Sequence, residues 1–149
     1  MSAGLQPPPT IIAAAMAADA RWRVPASVTL AQWALESGWG RHMPPGSNNP
    51  FGIKARPGEA ACIAATREVI DGASVAIEAR FRAFARLDDA FDEHARLLAT
   101  APVYAPARAC LPDVKAFCAA LTGRYATDPQ YGARLTAVID GSQLERFDR

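Results

Sequence analysis

The sequence predicts an α+β domain that is mostly α, a helical body with one β-hairpin inserted after its second helix. Three observations carry that expectation. Alanine, the residue of highest helix propensity, fills 33 of the 149 positions. Five segments read as helices: an alanine-rich run over residues 10–22, then four with apolar residues at helical spacing over 27–37, 88–98, 112–122 and 127–139. Between Cys62 and Phe84 the period drops to two, and the Asp71-Gly72 pair inside that stretch is the dipeptide of a tight hairpin turn. No repeat or linker composition divides the chain, so residues 1–149 read as one domain, with 1–9 a flexible lead-in.

Pro7, Pro8 and Pro9 form a lead-in that does not itself favour helix, and Thr10 precedes the first helical run, which extends through Trp22. Val24 stands before Pro25 and is pushed out of the α region, which separates the first helix from the second. Ser27 is the expected cap of the second helix, Val28, Ala31 and Leu35 form its core stripe, and Gly38 is its left-handed C-cap, so the helix ends within a residue or two of Glu36. A connection rich in Pro, Gly, Asn and Ser follows over residues 40–58, and a connection of that length in a compact domain is usually functional. In the hairpin Val75, Ile77, Ala79 and Phe81 alternate with Ala76, Glu78, Arg80 and Arg82, which predicts one face on the core. Asp88 caps the third helix, Pro112 opens the fourth and Gly123 closes it, and Thr127 caps the last, with Pro129 in its first turn and Tyr131, Leu135, Val138 and Ile139 facing inward.

Charge and cysteine usage exclude several function classes. Sixteen basic residues against fifteen acidic ones leave a net charge of +1, without the basic excess that nucleic-acid binding requires. The apolar stretch over residues 11–18 is broken by Asp19, Arg21 and Arg23, so it reads neither as a signal peptide nor as a membrane span. The expectation is a monomer made in the cytoplasm that reaches a target outside only after release or delivery by another system. Cys62, Cys110 and Cys118 read as free thiols, and His42 and His94 lie far from any ligand spacing, so no metal and no cofactor is expected.

Glu36 is the residue with the clearest chemical promise. It closes a largely apolar helix between Trp33 and Trp39, at the end where the helix dipole is negative. Desolvation and the dipole both disfavour its charged form, and a carboxylic acid that keeps its proton near neutral pH is what glycoside cleavage requires. Its alternative is a solvent-facing glutamate at a helix end.

The segments AQWALESGWG, SNNPFGIK, TREVIDG, FRAF and YATDPQY occur in that order. Together they resemble the glucosaminidase domains of glycoside hydrolase family 73, over about residues 11–139. The resemblance implies a goose-lysozyme-like fold in which a helical lobe and a small β-hairpin lobe flank a substrate groove. It implies peptidoglycan glycan strands as the partner and hydrolysis of the β-1,4 bond between N-acetylglucosamine and N-acetylmuramic acid. By the same resemblance Glu36 is the general acid, Glu68 the second carboxylate and Tyr125 a substrate-positioning or transition-state-stabilising residue. Each has a plainer alternative: an exposed Glu68 paired with Arg80 or Arg82, and a Tyr125 whose buried hydroxyl satisfies a backbone group. Asp128 serves the start of the last helix. Trp39 is the expected aromatic platform for a sugar, while Asn48, Asn49, Phe51 and Gly52 are candidate sugar-binding residues that turn formation also explains. Three readings stay open here: a glucosaminidase, in the setting of a phage or prophage endolysin; a lytic transglycosylase on the same polymer; and a glycan-binding module without turnover.

Overall fold

The computed structural model describes residues 4–148. The chain runs α1 (Pro9–Trp22), α2 (Ala26–Ser37), β1 (Ala61–Ile70), β2 (Ala73–Arg82), α3 (Leu87–Thr100), α4 (Ala105–Arg108), α5 (Val114–Leu121) and α6 (Tyr131–Gly141), with 3-10 turns at Pro102–Tyr104 and Leu144–Phe147. The mostly helical α+β class and the single inserted hairpin match the sequence expectation.

Helix α2 is the axis of the helical lobe. Every residue from Ala26 to Ala34 is buried, so the stripe read from Val28 and Ala31 is one side of a helix enclosed all round by α1, α3, α5, α6 and the C-terminal turn. Trp22 Nε1 donates to Asp92 Oδ1 at 2.8 Å and ties α1 to α3. Gly132 fits α6 against α5 so closely that a Cβ there would stand 2.8 Å from both Ala119 Cα and Cys118 O. Gly38 ends α2 in the left-handed conformation expected of it.

Several helix starts differ from the sequence reading, and each difference has a cause. Pro9 is already helical, because the first turn has no use for the N–H that proline lacks. Ser27 does not cap α2; its N–H and Oγ both donate to the carboxylate of Asp148, so an acidic side chain from the far end of the chain serves the positive end of that helix. Asp88 lies within the first turn of α3, after Arg86. Asp113, not Pro112, caps α5, with Oδ1 accepting from Ala116 N at 3.0 Å. The last helix begins at Tyr131 rather than near Thr127, because Asp128, as expected of it, organises the preceding turn by accepting from Gln130 N. Of the flexible lead-in, residues 1–3 lie outside the described residues, and the rest is fastened: Ser142 Oγ donates to Leu5 O and Gln6 Nε2 to Ser142 O. Cys62, Cys110 and Cys118 are free thiols.

The hairpin pairs β1 and β2 antiparallel, with Glu68 opposite Val75, Thr66 opposite Ile77 and Cys62 opposite Phe81. Asp71 and Gly72 both take positive φ, 50° and 79°, as the tight turn requires. Only its base joins the core, through buried Phe81; Ile77 and Ala79 are half-buried and Val75 is exposed. The face read as core-directed in fact overhangs a groove. The segment after α2 clamps the base, with Arg82 N donating to Ile53 O and Ala55 N to Arg80 O, both at 2.9 Å. Among the described residues no helix is long and apolar enough to cross a membrane.

Candidate active site

Glu36 lies where α2 runs out into the groove between the helical lobe and the hairpin. A cavity of about 650 Å³ on one side is lined by Glu36, Gly52, Lys54, Glu68, Tyr104 and Tyr125, among others. A second, of about 500 Å³, is reached by Arg41, His42 and Met43. The two share Glu36, Gly52, Thr66 and Phe81, so Glu36 stands at the middle of one continuous trough. As a residue Glu36 is exposed, opening into the trough, but the walls crowd its carboxyl, and this partial desolvation pushes it above the ordinary carboxylate range; a hydrogen bond from Tyr131 opposes part of the shift.

Glu68 meets Glu36 across this trough from the hairpin. It shares a strand face with Thr66, and its ionic partner is Lys54 at 3.4 Å, with both side chains largely exposed. Arg80 and Arg82 project from the opposite face, which removes the pairing considered for them; Arg82 instead bridges Glu59 at 3.1 Å and Glu93 at 2.8 Å, fixing the hairpin base to α3. Tyr125 also lines the cavity. Its ring stacks on Tyr131, with centroids 5.7 Å apart and planes 8° from parallel, and meets His94 edge-on. Burial and the nearby Glu36 raise its pKa well above that of a free phenol, so the hydroxyl stays protonated as a donor. Among the described residues no hydrogen bond engages that hydroxyl, which departs from the backbone-satisfied alternative.

The other sugar-binding candidates divide. Gly52 lines both halves of the trough with φ +68°, a conformation that suits glycine and exposes its backbone to a ligand. Phe51 touches the cavity edge but is 3% exposed and stacks on His94 at 4.0 Å, so its ring is spent in the core. Asn49 is buried and fully engaged: Nδ2 donates to Ile53 O and Arg82 O at 2.9 Å, and Oδ1 accepts from Phe51 N and Ile53 N. Asn48 Nδ2 donates to Phe84 O at 3.0 Å. Both asparagines therefore hold the connection onto the hairpin base instead of offering amides to a sugar. Trp39 lines neither cavity. Gly38, Trp39 and Gly40 have φ of 57°, 60° and 86°, and this left-handed run turns the Trp39 ring edge-on against Trp33, centroids 5.8 Å apart.

Sequence reading placed Tyr131 on a core stripe, weighed His94 only as a metal ligand and passed over Gln32. Tyr131 Oη donates to Glu36 Oε1 at 3.0 Å, Gln32 Nε2 donates to Tyr131 Oη at 3.0 Å, and His94 Nε2 lies 2.8 Å from Gln32 Oε1. A glutamine amid the apolar residues of α2 and the second tyrosine of YATDPQY were the only signals. Among the described residues no three His, Cys, Asp or Glu side chains converge as they would around a metal ion.

The family model described as glucosaminidase, mannosyl-glycoprotein endo-β-N-acetylglucosaminidase, matches residues 12–144. The chain belongs to this glucosaminidase family. Among its relatives, the "Probable N-acetylmuramidase" of Lactococcus lactis subsp. lactis is 38% identical over 130 residues, covering 82% of this chain and 30% of the relative. The "Exo-glucosaminidase LytG" of Bacillus subtilis is 31% identical over 134 residues, covering 86% of this chain and 48% of the relative. This chain thus spans less than half the length of these two relatives. Among solved structures, the catalytic domain of the autolysin Auto from Listeria monocytogenes superposes with a TM-score of 0.79 at 29% identity, covering 98% of this chain and 92% of that one. The glucosaminidase fold expected from the motifs is thereby borne out.

Proposed function

We propose that this glucosaminidase-family chain is a peptidoglycan hydrolase that cleaves the β-1,4 bond between N-acetylglucosamine and N-acetylmuramic acid. The observation that carries the reading is Glu36, a carboxyl with a raised pKa that lines both of two adjoining cavities, of about 650 and 500 Å³, and so has open space on either side. The relative named as an N-acetylmuramidase points to a polymer that contains N-acetylmuramic acid, and the family description and the relative named as an exo-glucosaminidase point to cleavage beside a glucosamine unit. In the reaction Glu36 gives its proton to the glycosidic oxygen as the bond to the anomeric carbon breaks. Glu68, reaching over from the hairpin, stabilises the positive charge on the sugar or takes a proton from the incoming water. The Tyr125 hydroxyl is a free donor beside that charge.

Glu36→Gln tests the reading, since it keeps size and hydrogen bonding but has no proton to give. Turnover of purified cell walls should fall by at least 10²–10⁴-fold, the usual worth of a general acid, in a folded protein. Activity within threefold of the parent would reject the assignment. Borohydride reduction and mass spectrometry of the released fragments separate the chemistries: a reducing-end N-acetylglucosamine supports this bond, a reducing-end N-acetylmuramic acid the muramidase suggested by one relative's name, and an anhydro sugar a lytic transglycosylase. The endolysin setting belongs to the same proposal, and a neighbouring holin gene would support it while a flagellar cluster would oppose it.

A further inference from the structure

Behind the acid, a line of hydrogen bonds runs inward from Glu36 through Tyr131 and Gln32 to His94, linking α2, α6 and α3. Gln32 is 0% and His94 1% exposed, so water does not offer these groups alternative partners. At the far end, His94 Nδ1 is buried without a hydrogen-bond partner, and the imidazole lies flat against Phe51 at 4.0 Å. That orphaned atom gives the whole line a direction. A buried N–H left unpaired is rarer and costlier than an unpaired lone pair, so Nδ1 is bare and Nε2 carries the hydrogen. Nε2–H then donates to Gln32 Oε1, which turns the Gln32 amide nitrogen toward Tyr131, and the Tyr131 hydroxyl is left to donate to Glu36 Oε1.

We infer that Gln32 and His94 are positioning residues for the general acid: through Tyr131 they occupy Glu36 Oε1 and leave Oε2 as the oxygen that carries the transferable proton. With the line intact, protonated Glu36 cannot donate inward to Tyr131, because that oxygen already receives from Gln32 and spends its own hydrogen on Oε1. The same bond persists after proton transfer, when Oε1 becomes part of a carboxylate and the charge-assisted interaction strengthens. This inference rests on Glu36 being the acid. Burial pulls the His94 imidazolium down to about 3, so the end of the line stays neutral over the working pH range. Titratable and charged groups around the same trough include Tyr125 beside Tyr131, Tyr104, Glu93 and Arg124 on the helical side, Lys54, Arg67 and Glu68 from across it, and Arg41 and His42 at its second cavity.

The first test uses the unaltered protein. Nitrogen-15 NMR of the His94 ring should show the neutral Nε2–H tautomer from pH 5 to 8, and an Nδ1–H tautomer would overturn the inference. The second is Gln32→Met, which keeps the volume and removes both bonds. The Tyr131 hydroxyl is then free to accept from protonated Glu36, diverting the proton from substrate and holding it more tightly. Accordingly kcat should fall on the order of tenfold, the scale of one misdirected hydrogen bond, with KM within twofold. The basic limb of the kcat/KM profile should move to higher pH, which a merely structural role would not do. A folded Gln32→Met with an unmoved limb refutes the relay. Should that variant fail to fold, Tyr131→Phe takes its place and must raise the limb in the same direction. Retained turnover in Glu36→Gln would reject the general-acid reading, whereas its loss together with an unmoved limb in Gln32→Met rejects the relay alone.

Discussion

Gly132→Ala couples the packing of the helical lobe to its chemistry. The new Cβ would lie 2.8 Å from Ala119 Cα and 2.8 Å from Cys118 O, both backbone atoms of α5 that cannot swing away, and 2.9 Å from Thr122 Oγ1. Alanine gains about 1 kcal/mol over glycine in a helix interior, but here the residue is at the first turn and the gain is smaller. Against it stand about 1–3 kcal/mol of overpacking and about 1 kcal/mol for the Gly132 N to Thr122 Oγ1 hydrogen bond, which separates as α6 retreats. The net loss is about 1–4 kcal/mol, and at roughly 2–4 °C per kcal/mol for a domain of this size Tm should fall by about 2–16 °C. Retreat of α6 also carries Tyr131 away from Glu36, so turnover should fall more than the unfolded fraction explains. Differential scanning fluorimetry paired with turbidity loss of a cell-wall suspension measures both. An unchanged or raised Tm with full activity would refute the reasoning, because it would mean the α5–α6 contact relaxes without cost.

Asn49→Ala leaves the backbone groups at Phe51, Ile53 and Arg82 without their partner, and at about 1–3 kcal/mol for unmet buried groups Tm should drop by several degrees while KM for cell walls stays unchanged; a raised KM at constant Tm would restore the sugar-binding role. Glu68→Gln breaks an exposed pair worth at most about 1 kcal/mol, so melting should barely move, whereas kcat should drop by one to several decades; undiminished kcat would leave the substrate's own acetamido group as the better source of assistance. Glu36→Gln should also alter the pH dependence of stability. The folded-state pKa of Glu36 is raised above its unfolded value of about 4.5, so its contribution is present below that value and lost as pH rises through the folded pKa. The Tm of the variant relative to the parent should therefore climb from pH 4 to pH 8, and a flat or falling difference would show that Glu36 is not desolvated in the fold.

What the sequence exposed and what it hid follow from how far each signal reaches along the chain. Glu36 was legible because its cause is local: an apolar helix, a glycine stop two residues on and a dipole of known sign all lie within a few residues. The hairpin was legible for the same reason, since alternation and Asp71-Gly72 are neighbour effects. Ser27 was misassigned because its partner Asp148 is 121 residues away, and no local rule weighs a cap supplied by the other end of the chain. Trp39 was misassigned because consecutive positive φ angles reverse the chain, so a residue adjacent in sequence to the acid's helix points back under it. The line from Glu36 to His94 was hidden altogether. Its bonds join positions 95, 99 and 62 residues apart, and hydrophobic periodicity records each member only as a buried position. A polar side chain on a fully enclosed helix is nonetheless costly unless every one of its hydrogen-bonding groups is met. Gln32 on α2, one turn before Glu36 and on the same flank of the helix, is the largest of the buried polar side chains there, beside Ser27, Thr29 and Ser37, and following its bonds through Tyr131 leads back to Glu36.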